Sequence, residues 1–325
     1  MKQPKISVCI PVLNGAQRLP ECLSSLRALD YPADLIEIVI ADGGSTDATR
    51  EIALSFGASV LENPGKTVAA GRNVSFSAAT GTFIASTDDD CIVPPDWVTR
   101  ALAAFDAPDV AAVGGISRLP KTSGPWSEAA NHVFRLASRS GYSVQADHLD
   151  TGDVGDLPGC NVIYRTEAVR ETGAFDEALV TAEDVDFHQR ILAQGKRLRT
   201  APGLFVWHHK RPTVRGLFRQ LRRYAEGRVQ LGRKWPHAVG IAHLALGWGV
   251  PVVALVGLTW AAMAPLSLGI AVLAGWTLLA AQARRDGLAI GASLLVPAAT
   301  LVVAGGWSFG FLKERFRPVP GAHGR

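Results

Sequence analysis

Short apolar runs and helically spaced apolar residues alternate along the first two thirds of the chain. Continuous apolar runs at residues 6–12 and 36–41 are typical of strands buried on both faces of a parallel sheet. Between them, residues 19–26 carry leucines and a cysteine at spacings of three and four, which predicts a helix. A strand, a helix and a second strand in this order form a right-handed βαβ unit, so the pattern predicts an α/β fold.

The same alternation continues beyond this first unit. Ser45 is expected to cap the second helix, and a third helix is expected from residue 68 to near residue 81. Residues 118–157 break the pattern, because they are polar and irregular apart from a helical piece near residues 126–136. A long irregular insertion in a compact domain is typical of a binding or lid loop.

The C-terminal part of the chain is apolar. Residues 238–283 contain no Asp, Glu, Lys or Arg. Because a bilayer crossing takes about 20 apolar residues, the sequence predicts spans near residues 239–262, 266–282 and 288–312. The arginines between the last two spans and the basic tail both favour the cytoplasm, and three full crossings cannot place both there. Either one segment does not cross fully, or the tail departs from the positive-inside rule.

A basic segment precedes the first span. Residues 210–234 hold nine Lys and Arg against a single acid, Glu226, although the net charge of the chain is only +4. Most of its large apolar residues fall on one helical side, which is typical of an interfacial helix on an anionic membrane leaflet. A nucleic-acid-binding stripe would carry a similar pattern, but the adjoining spans favour lipid. The N-terminal apolar run is too short for a signal peptide, so we expect a cytoplasmic soluble part.

Three consecutive carboxylates follow a short apolar strand within residues 81–91. Open parallel sheets bind ligands at the carboxyl ends of their strands, and carboxylates there suit a hard divalent cation, Mg²⁺ or Mn²⁺. Asp88 and Asp90 would point one way and Asp89 the other if the strand geometry continued. His208 follows a short strand and could reach the same edge as a third metal ligand. The alternative interpretations are a solvated acidic turn and an ordinary surface histidine.

Glu183 and Asp184 open another predicted helix, with Thr181 or Ala182 at its cap. Carboxylates in a first turn stabilise a helix through its dipole, and this role alone could account for the pair. The four cysteines, by contrast, show no C-x-x-C pair or other metal-binding spacing. They are therefore expected to be reduced structural thiols.

Seven segments of the chain, in order, resemble glycosyltransferase family 2. They span nearly all of residues 5–235: ISVCIPVLNG (6–15), IVIADGGSTD (38–47), GRN (71–73), TDDD (87–90), GCNVIYR with GAFDE (159–177), AEDVDF (182–187) and QLRRY (220–224). The resemblance implies a GT-A nucleotide-diphospho-sugar transferase fold, which is α/β with a Rossmann-like mixed sheet. It points to the membrane-anchored exopolysaccharide members of the succinoglycan type.

Together with the basic and apolar segments, the resemblance divides the chain into four regions. We expect a catalytic domain at residues 1–207 and a basic amphipathic region at 208–236. About three transmembrane helices would follow at 237–313, with a basic tail at 314–325.

Roles for individual residues in binding the donor follow from the same resemblance. Pro11, Val12 and Asn14 would line the base and ribose pocket. Asp42 would hydrogen-bond the nucleobase, and Arg72 would lie close to the nucleotide.

The acidic segments match the reacting end of the family's site. Asp88 and Asp90 match the family's D-x-D pair, which binds Mg²⁺ or Mn²⁺ and through it the donor diphosphate, and Asp89 is grouped with the donor-binding residues. Asp184 matches the general base, and Glu183 is its partner in the catalytic pair.

Residues 220–224 resemble the Q-x-x-R-W segment of processive members. Tyr224 stands where the family has Trp, which leaves processivity open because the aromatic ring is expected to stack on the acceptor sugar. Gln220 and Arg223 are then candidates for donor binding, although arginines that face lipid headgroups are an equally good interpretation.

The function expected from these features is inverting, metal-dependent transfer of a hexose from a nucleotide sugar, taken to be UDP-linked. The acceptor would be a lipid-linked saccharide at the cytoplasmic face of the cell (inner) membrane, and nucleic acid is not an expected partner. One alternative acceptor is polyprenyl phosphate, as in dolichol-phosphate mannose synthases. A non-catalytic membrane scaffold or a small transporter is another alternative, but the intact acids and the lack of charge within the spans speak against it.

Overall fold

The structure is a computed structural model, and it describes residues 3–139 and 152–317. The chain forms two compact units. The first consists of Met1–Pro120, Val144–Leu179 and Glu183–His209, and the second of Lys121–Ser143, Val180–Ala182 and Lys210–Arg325.

The secondary-structure elements follow the predicted alternation of strands and helices. The strands are β1 (Ile6–Val12), β2 (Ile36–Asp42), β3 (Ser59–Glu62), β4 (Phe83–Ser86), β5 (Cys91–Ile92), β6 (Val110–Arg118), β7 (Gly152–Val154), β8 (Val162–Arg165) and β9 (Arg197–His208). The helices are α1 (Leu19–Arg27), α2 (Thr49–Ser55), α3 (Val68–Ala78), α4 (Trp97–Ala103), α5 (Pro125–Arg139), α6 (Thr166–Thr172), α7 (Glu183–Ala193), α8 (Val214–Lys234), α9 (Ile241–Met263), α10 (Pro265–Arg285) and α11 (Ile290–Arg315).

A mixed sheet forms the centre of the first unit. Its strands lie in the order β3-β2-β1-β4-β8-β6-β9-β5, and β7 pairs with β9. The first four strands in this order are mutually parallel. β8 is antiparallel to β4 and β6, and both β5 and β7 are antiparallel to β9. The predicted α/β class with a Rossmann-like mixed sheet is therefore confirmed.

Helices cover both faces of this sheet. On one face, α1 and α4 bury Leu23 and Trp97 against the strands. On the other face, α3 and α7 bury Phe76 and Phe187. Each fully buried large apolar side chain contributes about 1.5–3 kcal/mol of transfer free energy. The two core layers therefore stabilise the sheet whose strand ends carry the candidate site.

Local details differ from the sequence-based expectations. Ser45 does not cap α2. Instead, its N–H and its hydroxyl donate to Oδ1 of Asp42 at 3.1 and 2.5 Å, the local turn that short polar side chains favour. The short strand expected before His208 is the end of β9, which is 12 residues long. The irregular insertion contains α5 and β7, and its residues 140–151 lie outside the described residues.

Three helices of the second unit, α9, α10 and α11, are long and apolar enough to cross a membrane. α9 and α10 expose most of their apolar side chains, including Val253, Leu258 and Leu273. Apolar surface of this extent needs an apolar partner to cover it, and lipid fits helices of this length. The C-terminal helices therefore fit a membrane anchor.

The basic helix α8 packs along α11. Leu217, Leu221 and Ala225 of α8 are buried in one cluster with residues of α5 and α11, such as Trp307. Protein therefore covers much of the apolar side that the sequence assigns to a membrane interface, whereas Phe218 remains partly exposed.

Two glycines of α11 permit this close packing. A Cβ atom at Gly306 would lie 2.8 Å from the carbonyl oxygen of Phe218, and one at Gly310 would overlap the carbonyl oxygen of Arg222. Small residues four apart let two helix backbones approach in this way.

Candidate functional site

The carboxyl ends of three parallel strands meet at one edge of the sheet. β1 and β2 are in register from Ile6 and Ile36 to Val12 and Asp42. β4 runs parallel to β1, with Ser86 opposite Cys9, so the chain that follows β4 emerges at this same edge. The sequence predicts this convergence, because it places polar residues directly after each apolar run.

The three consecutive aspartates lie in the turn after β4. A ligand atom from each of Asp88, Asp90, Cys91 and His208 lies within 4.8 Å of the others. The side chain of Asp89 lies beside Gly15 instead, since a Cβ atom on that glycine would be 2.5 Å from Oδ2 of Asp89. Strand β4 already ends at Ser86, so the geometry of the turn, and not strand alternation, directs Asp89 away from Asp88 and Asp90.

Strand pairing brings His208 to the aspartates. Cys91 in β5 and His208 at the end of β9 are directly opposed in the antiparallel pair. Nε2 of His208 lies 3.1 Å from Oδ1 of Asp90. The histidine therefore faces the acidic turn rather than bulk solvent alone.

The side chains of this cluster fit a divalent cation. Asp88, Asp90 and His208 offer two carboxylates and an imidazole, a donor set that suits Mn²⁺ and tolerates Mg²⁺. Burial raises the pKa of the Cys91 thiol well above its ordinary value, so in the metal-free protein this sulfur is a protonated, soft group that suits a hard cation poorly.

The carboxyl group of Asp88 has a raised pKa. Burial raises its pKa to about 7, and the adjacent Cys160 and Asp90 add to this effect while Arg72 opposes it. The raised pKa means that the charged form of this carboxyl group is disfavoured, and a cation bound beside it would stabilise that form.

Arg72 joins the acidic turn to the start of α7. Its side chain is 4% exposed. Nη1 donates to Oε1 of Glu183, and Nη2 lies 3.7 Å from Oδ1 of Asp88. Burial alone would lower the pKa of Arg72, but Glu183, Asp88 and then Asp184 outweigh it and hold the guanidinium charged. Sequence reasoning named Arg72 as a nucleotide neighbour and missed this ion pair, which spans 111 positions of the chain.

The two acids at the start of α7 have different surroundings. Glu183 is buried against Arg72, and burial raises its pKa, which Arg72 opposes and Asp184 reinforces. Asp184 is only partly buried, and its Oδ2 accepts a hydrogen bond from the main-chain N–H of Gly159 at 3.1 Å. One acid is therefore committed to an internal ion pair, whereas the other is fixed but accessible.

Gly159 lies between these groups. A Cβ atom at this position would be 2.6 Å from Nη2 of Arg72 and 2.8 Å from Oδ2 of Asp184. The sequence motif around Gly159 signals a turn, but the need for a glycine becomes visible only once Arg72 and Asp184 are positioned.

The residues assigned to the base and ribose lie at the ends of β1 and β2. Pro11 and Val12 are buried. Asn14 follows in the left-handed region at φ 54°, which Asn tolerates better than most residues, and its Oδ1 accepts from the N–H of Thr46 at 2.8 Å. Asp42 is 1% exposed and pairs with Arg50 at 3.3 Å.

Gln220 and Arg223 belong to α8 in the second unit. Nε2 of Gln220 donates to the hydroxyl of Tyr224 at 2.9 Å, and Nη2 of Arg223 donates to the carbonyl oxygen of Val180 at 3.5 Å. Their contacts thus lie within the second unit.

Comparisons with known proteins identify the family of the chain. The sequence model named Glycosyl transferase family 2 matches residues 7–173, just over half of the chain. The succinoglycan biosynthesis protein ExoA of Rhizobium meliloti is 26% identical over 324 residues, which cover 94% of each chain.

Two solved structures share the fold. The mannosyltransferase PcManGT from Pyrobaculum calidifontis, in complex with GDP-Man and Mn²⁺, aligns with a TM-score of 0.67 at 22% identity and covers 92% of this chain and 88% of its own. S. aureus TarS 1–349, in complex with UDP-GlcNAc, aligns with a TM-score of 0.54 at 20% identity and covers 96% and 91%. The family match and the shared fold together show that this chain is a glycosyltransferase of family 2, with a GT-A fold and C-terminal helices that fit a membrane anchor.

Proposed function

We propose that this glycosyltransferase is an inverting, cation-dependent hexosyltransferase that uses a UDP-sugar donor and a lipid-linked saccharide acceptor. The proposal rests on one observation: Arg72 and Gly159 link the cation cluster of Asp88, Asp90 and His208 to Asp184. A cation-binding group and an accessible carboxylate are therefore close together at the carboxyl edge of the sheet.

Asp88, Asp90 and His208 would hold Mg²⁺ or Mn²⁺. When bound, the cation stabilises the negative charge that develops on the departing nucleoside diphosphate. The raised pKa of Asp88 supports this role, because it reflects a partly buried carboxyl group with too little positive charge around it.

Asp184 would act as the general base. Its Oδ1 accepts from the N–H of Val185 at 2.9 Å and its Oδ2 from that of Gly159, so two main-chain donors fix the orientation of the carboxylate. An acceptor hydroxyl that donates its proton to Asp184 becomes a competent nucleophile. Glu183, which is held by Arg72, would position α7 and the base rather than take the proton itself.

A single base supports inversion at the anomeric carbon. Direct attack opposite the leaving group requires one proton acceptor, whereas double displacement requires a second carboxylate as nucleophile. Asp184 is the accessible carboxylate at the start of α7, since Glu183 is committed to Arg72. This division of roles favours one displacement with inversion.

Pro11, Val12, Asn14 and Asp42 would bind the base and ribose of the donor, and Asp89 lies on the same edge of the sheet beside Gly15. The two solved relatives carry different donors, GDP-Man in one and UDP-GlcNAc in the other, so the nucleotide must be tested directly.

A lipid-linked saccharide is the proposed acceptor because of the apolar C-terminal helices and the similarity to a succinoglycan biosynthesis protein over 94% of the chain. The basic helix α8 would face the anionic leaflet, with the first unit in the cytoplasm at the inner membrane.

The test is a screen of the purified full-length protein with UDP- and GDP-sugars, with and without Mn²⁺ or Mg²⁺. We expect cation-dependent release of one nucleotide, and an inverted linkage in the product when acceptor lipid is supplied. A product with a single sugar on polyprenyl phosphate would change the acceptor, and cation-independent turnover would contradict the proposed metal role.

A further inference from the structure

Three strands bring two cysteines and a histidine together beside the acidic turn. Cys91 in β5 is the register partner of His208 in β9. Cys160 comes just before β8, whose first residue pairs with the last residue of β4. The sulfur atoms of Cys91 and Cys160 and a ring nitrogen of His208 all lie within 4.8 Å of one another.

Their spacing is that of a soft metal site. A tetrahedral Zn²⁺ ion with bonds of about 2.3 Å to sulfur and about 2.0 Å to nitrogen places its sulfur and nitrogen ligands about 3.6 Å apart. Sγ of Cys160 lies 3.8 Å from Nδ1 of His208. The two thiols also face each other, since Cys160 is a hydrogen-bond partner of Cys91.

His208 presents a different nitrogen to each neighbour. Nδ1 faces Sγ of Cys160 at 3.8 Å, and Nε2 faces Oδ1 of Asp90 at 3.1 Å. A metal-bound histidine whose second nitrogen donates to a carboxylate is the usual arrangement in zinc proteins, because the carboxylate fixes the tautomer and the ring orientation. The carboxylate that serves this purpose here is also part of the cation cluster described above.

We propose that Cys91, Cys160 and Nδ1 of His208 form a binding site for a thiophilic divalent cation of the Zn²⁺ class. The two thiols give up their protons to solvent when the ion binds, and the fourth coordination position is open to water. His208 is more exposed than the two buried cysteines of this set.

Occupation of this site changes the neighbouring one. With Zn²⁺ on Nδ1, the ring proton of His208 lies on Nε2 and is donated to Asp90. Nε2 can then no longer bind a cation in the acidic cluster, so the cluster loses His208 as a ligand. The hydrogen bond also withdraws part of the negative charge of Asp90. If the proposed cation-dependent transfer is correct, Zn²⁺ therefore inhibits it without occupying the acidic site.

Binding is tested with Co²⁺, whose bonds to thiolates give an intense charge-transfer absorption. The full-length protein is kept reduced and purified through a tag without histidines. We expect one equivalent of Co²⁺ to produce the band and Zn²⁺ to abolish it. Cys160→Ser and Cys91→Ser should lose the band. Cys9→Ser, which alters a buried cysteine on β1, should keep it.

Further variants make the result decisive. Asp90→Ala should retain the charge-transfer band, because that residue is not a ligand of the thiol site. No band in the wild-type protein, or a band that survives in a folded Cys160→Ser variant, would overturn the proposal. Should Cys91→Ser fail to fold, Cys160→Ser carries the test, since Cys160 lies in a turn outside the strands.

The inhibitory effect is measured separately, at saturating Mn²⁺. Turnover of the wild-type protein should fall as Zn²⁺ is added, and Cys160→Ser should need at least tenfold more Zn²⁺ for the same loss. Equal sensitivity in both proteins would place the inhibitory ion at the acidic cluster and refute the regulatory role. A protein that binds Co²⁺ through its thiols but transfers no sugar would refute the proposed function alone.

Discussion

Oδ2 of Asp184 accepts a hydrogen bond from the N–H of Gly159, and the same glycine faces Nη2 of Arg72. Gly159, which has no side chain, thus separates the proposed base from the guanidinium of Arg72. That guanidinium in turn pairs with Glu183 and Asp88. The turn before β8 therefore positions both halves of the site.

Gly159→Ala should reduce turnover strongly without unfolding the protein. The added Cβ atom would lie 2.6 Å from Arg72 and 2.8 Å from Asp184, so one of them must move, and small displacements of catalytic groups can cost about 100-fold in rate. The measurement is kcat with the donor found in the screen. Gly155→Ala is the matched control, because no atom lies within 4 Å of a Cβ at Gly155, and its turnover should match the wild type.

Asp184→Asn should lower kcat by about 10²–10⁴-fold, the usual contribution of a general base, while the Kd of UDP in the presence of Mn²⁺ stays within a fewfold of the wild-type value. The amide cannot accept a proton from the acceptor hydroxyl. Rate assays and calorimetry separate the two effects. Turnover near the wild-type level would remove Asp184 as the base.

Asp90→Ala should weaken UDP binding and make it insensitive to Mn²⁺, because the cluster loses a carboxylate that faces His208. Calorimetric titrations of UDP with and without Mn²⁺ measure the change. Asp34→Ala, at an exposed position, is the control and should keep the full response to the cation. A Mn²⁺ response that persists in Asp90→Ala would contradict the proposed ligand set.

Arg72→Met should destabilise the first unit. The change leaves Glu183 buried and unpaired, and breaking a buried ion pair typically costs about 3–5 kcal/mol of unfolding free energy. Denaturation of the purified protein measures the loss. The double variant Arg72→Met with Glu183→Gln should recover part of it, since the uncompensated charge is then removed. No recovery would show that packing of the arginine, rather than its charge, matters.

Much of this site follows from sequence patterns that are local. The acidic turn and the ends of β1 and β2 converge because parallel strands of a βαβ fold end at one edge, and the order of apolar runs reveals that fold. Glu183 and Asp184 are recognised as the start of a helix because carboxylates are favoured in a first turn.

The remaining contacts depend on strand pairing and packing that no periodic signal encodes. Cys160 and His208 are 48 positions apart and meet through two antiparallel pairs, β4 with β8 and β5 with β9. Sequence spacing therefore gave no indication of a metal site at the cysteines. The cap predicted at Ser45 is wrong for a different, local reason. Oδ1 of Asp42, three residues earlier, accepts from the N–H and the hydroxyl of Ser45, and this turn competes with the helix cap.

The packing of α8 on α11 leads to the last prediction. Gly310→Leu should disrupt the second unit, because even a Cβ atom at this position overlaps the carbonyl oxygen of Arg222. Separation of the helices would also expose Glu314, which is 2% exposed and paired with Arg233 at 2.9 Å. We expect a lower midpoint of thermal unfolding in detergent and faster proteolysis after the arginines of α8. Gly275→Leu is the matched control, since it adds the same side chain to α10 where no atom lies within 4 Å of a Cβ. If both variants were equally stable, the glycines of α11 would not be what holds the basic helix in place.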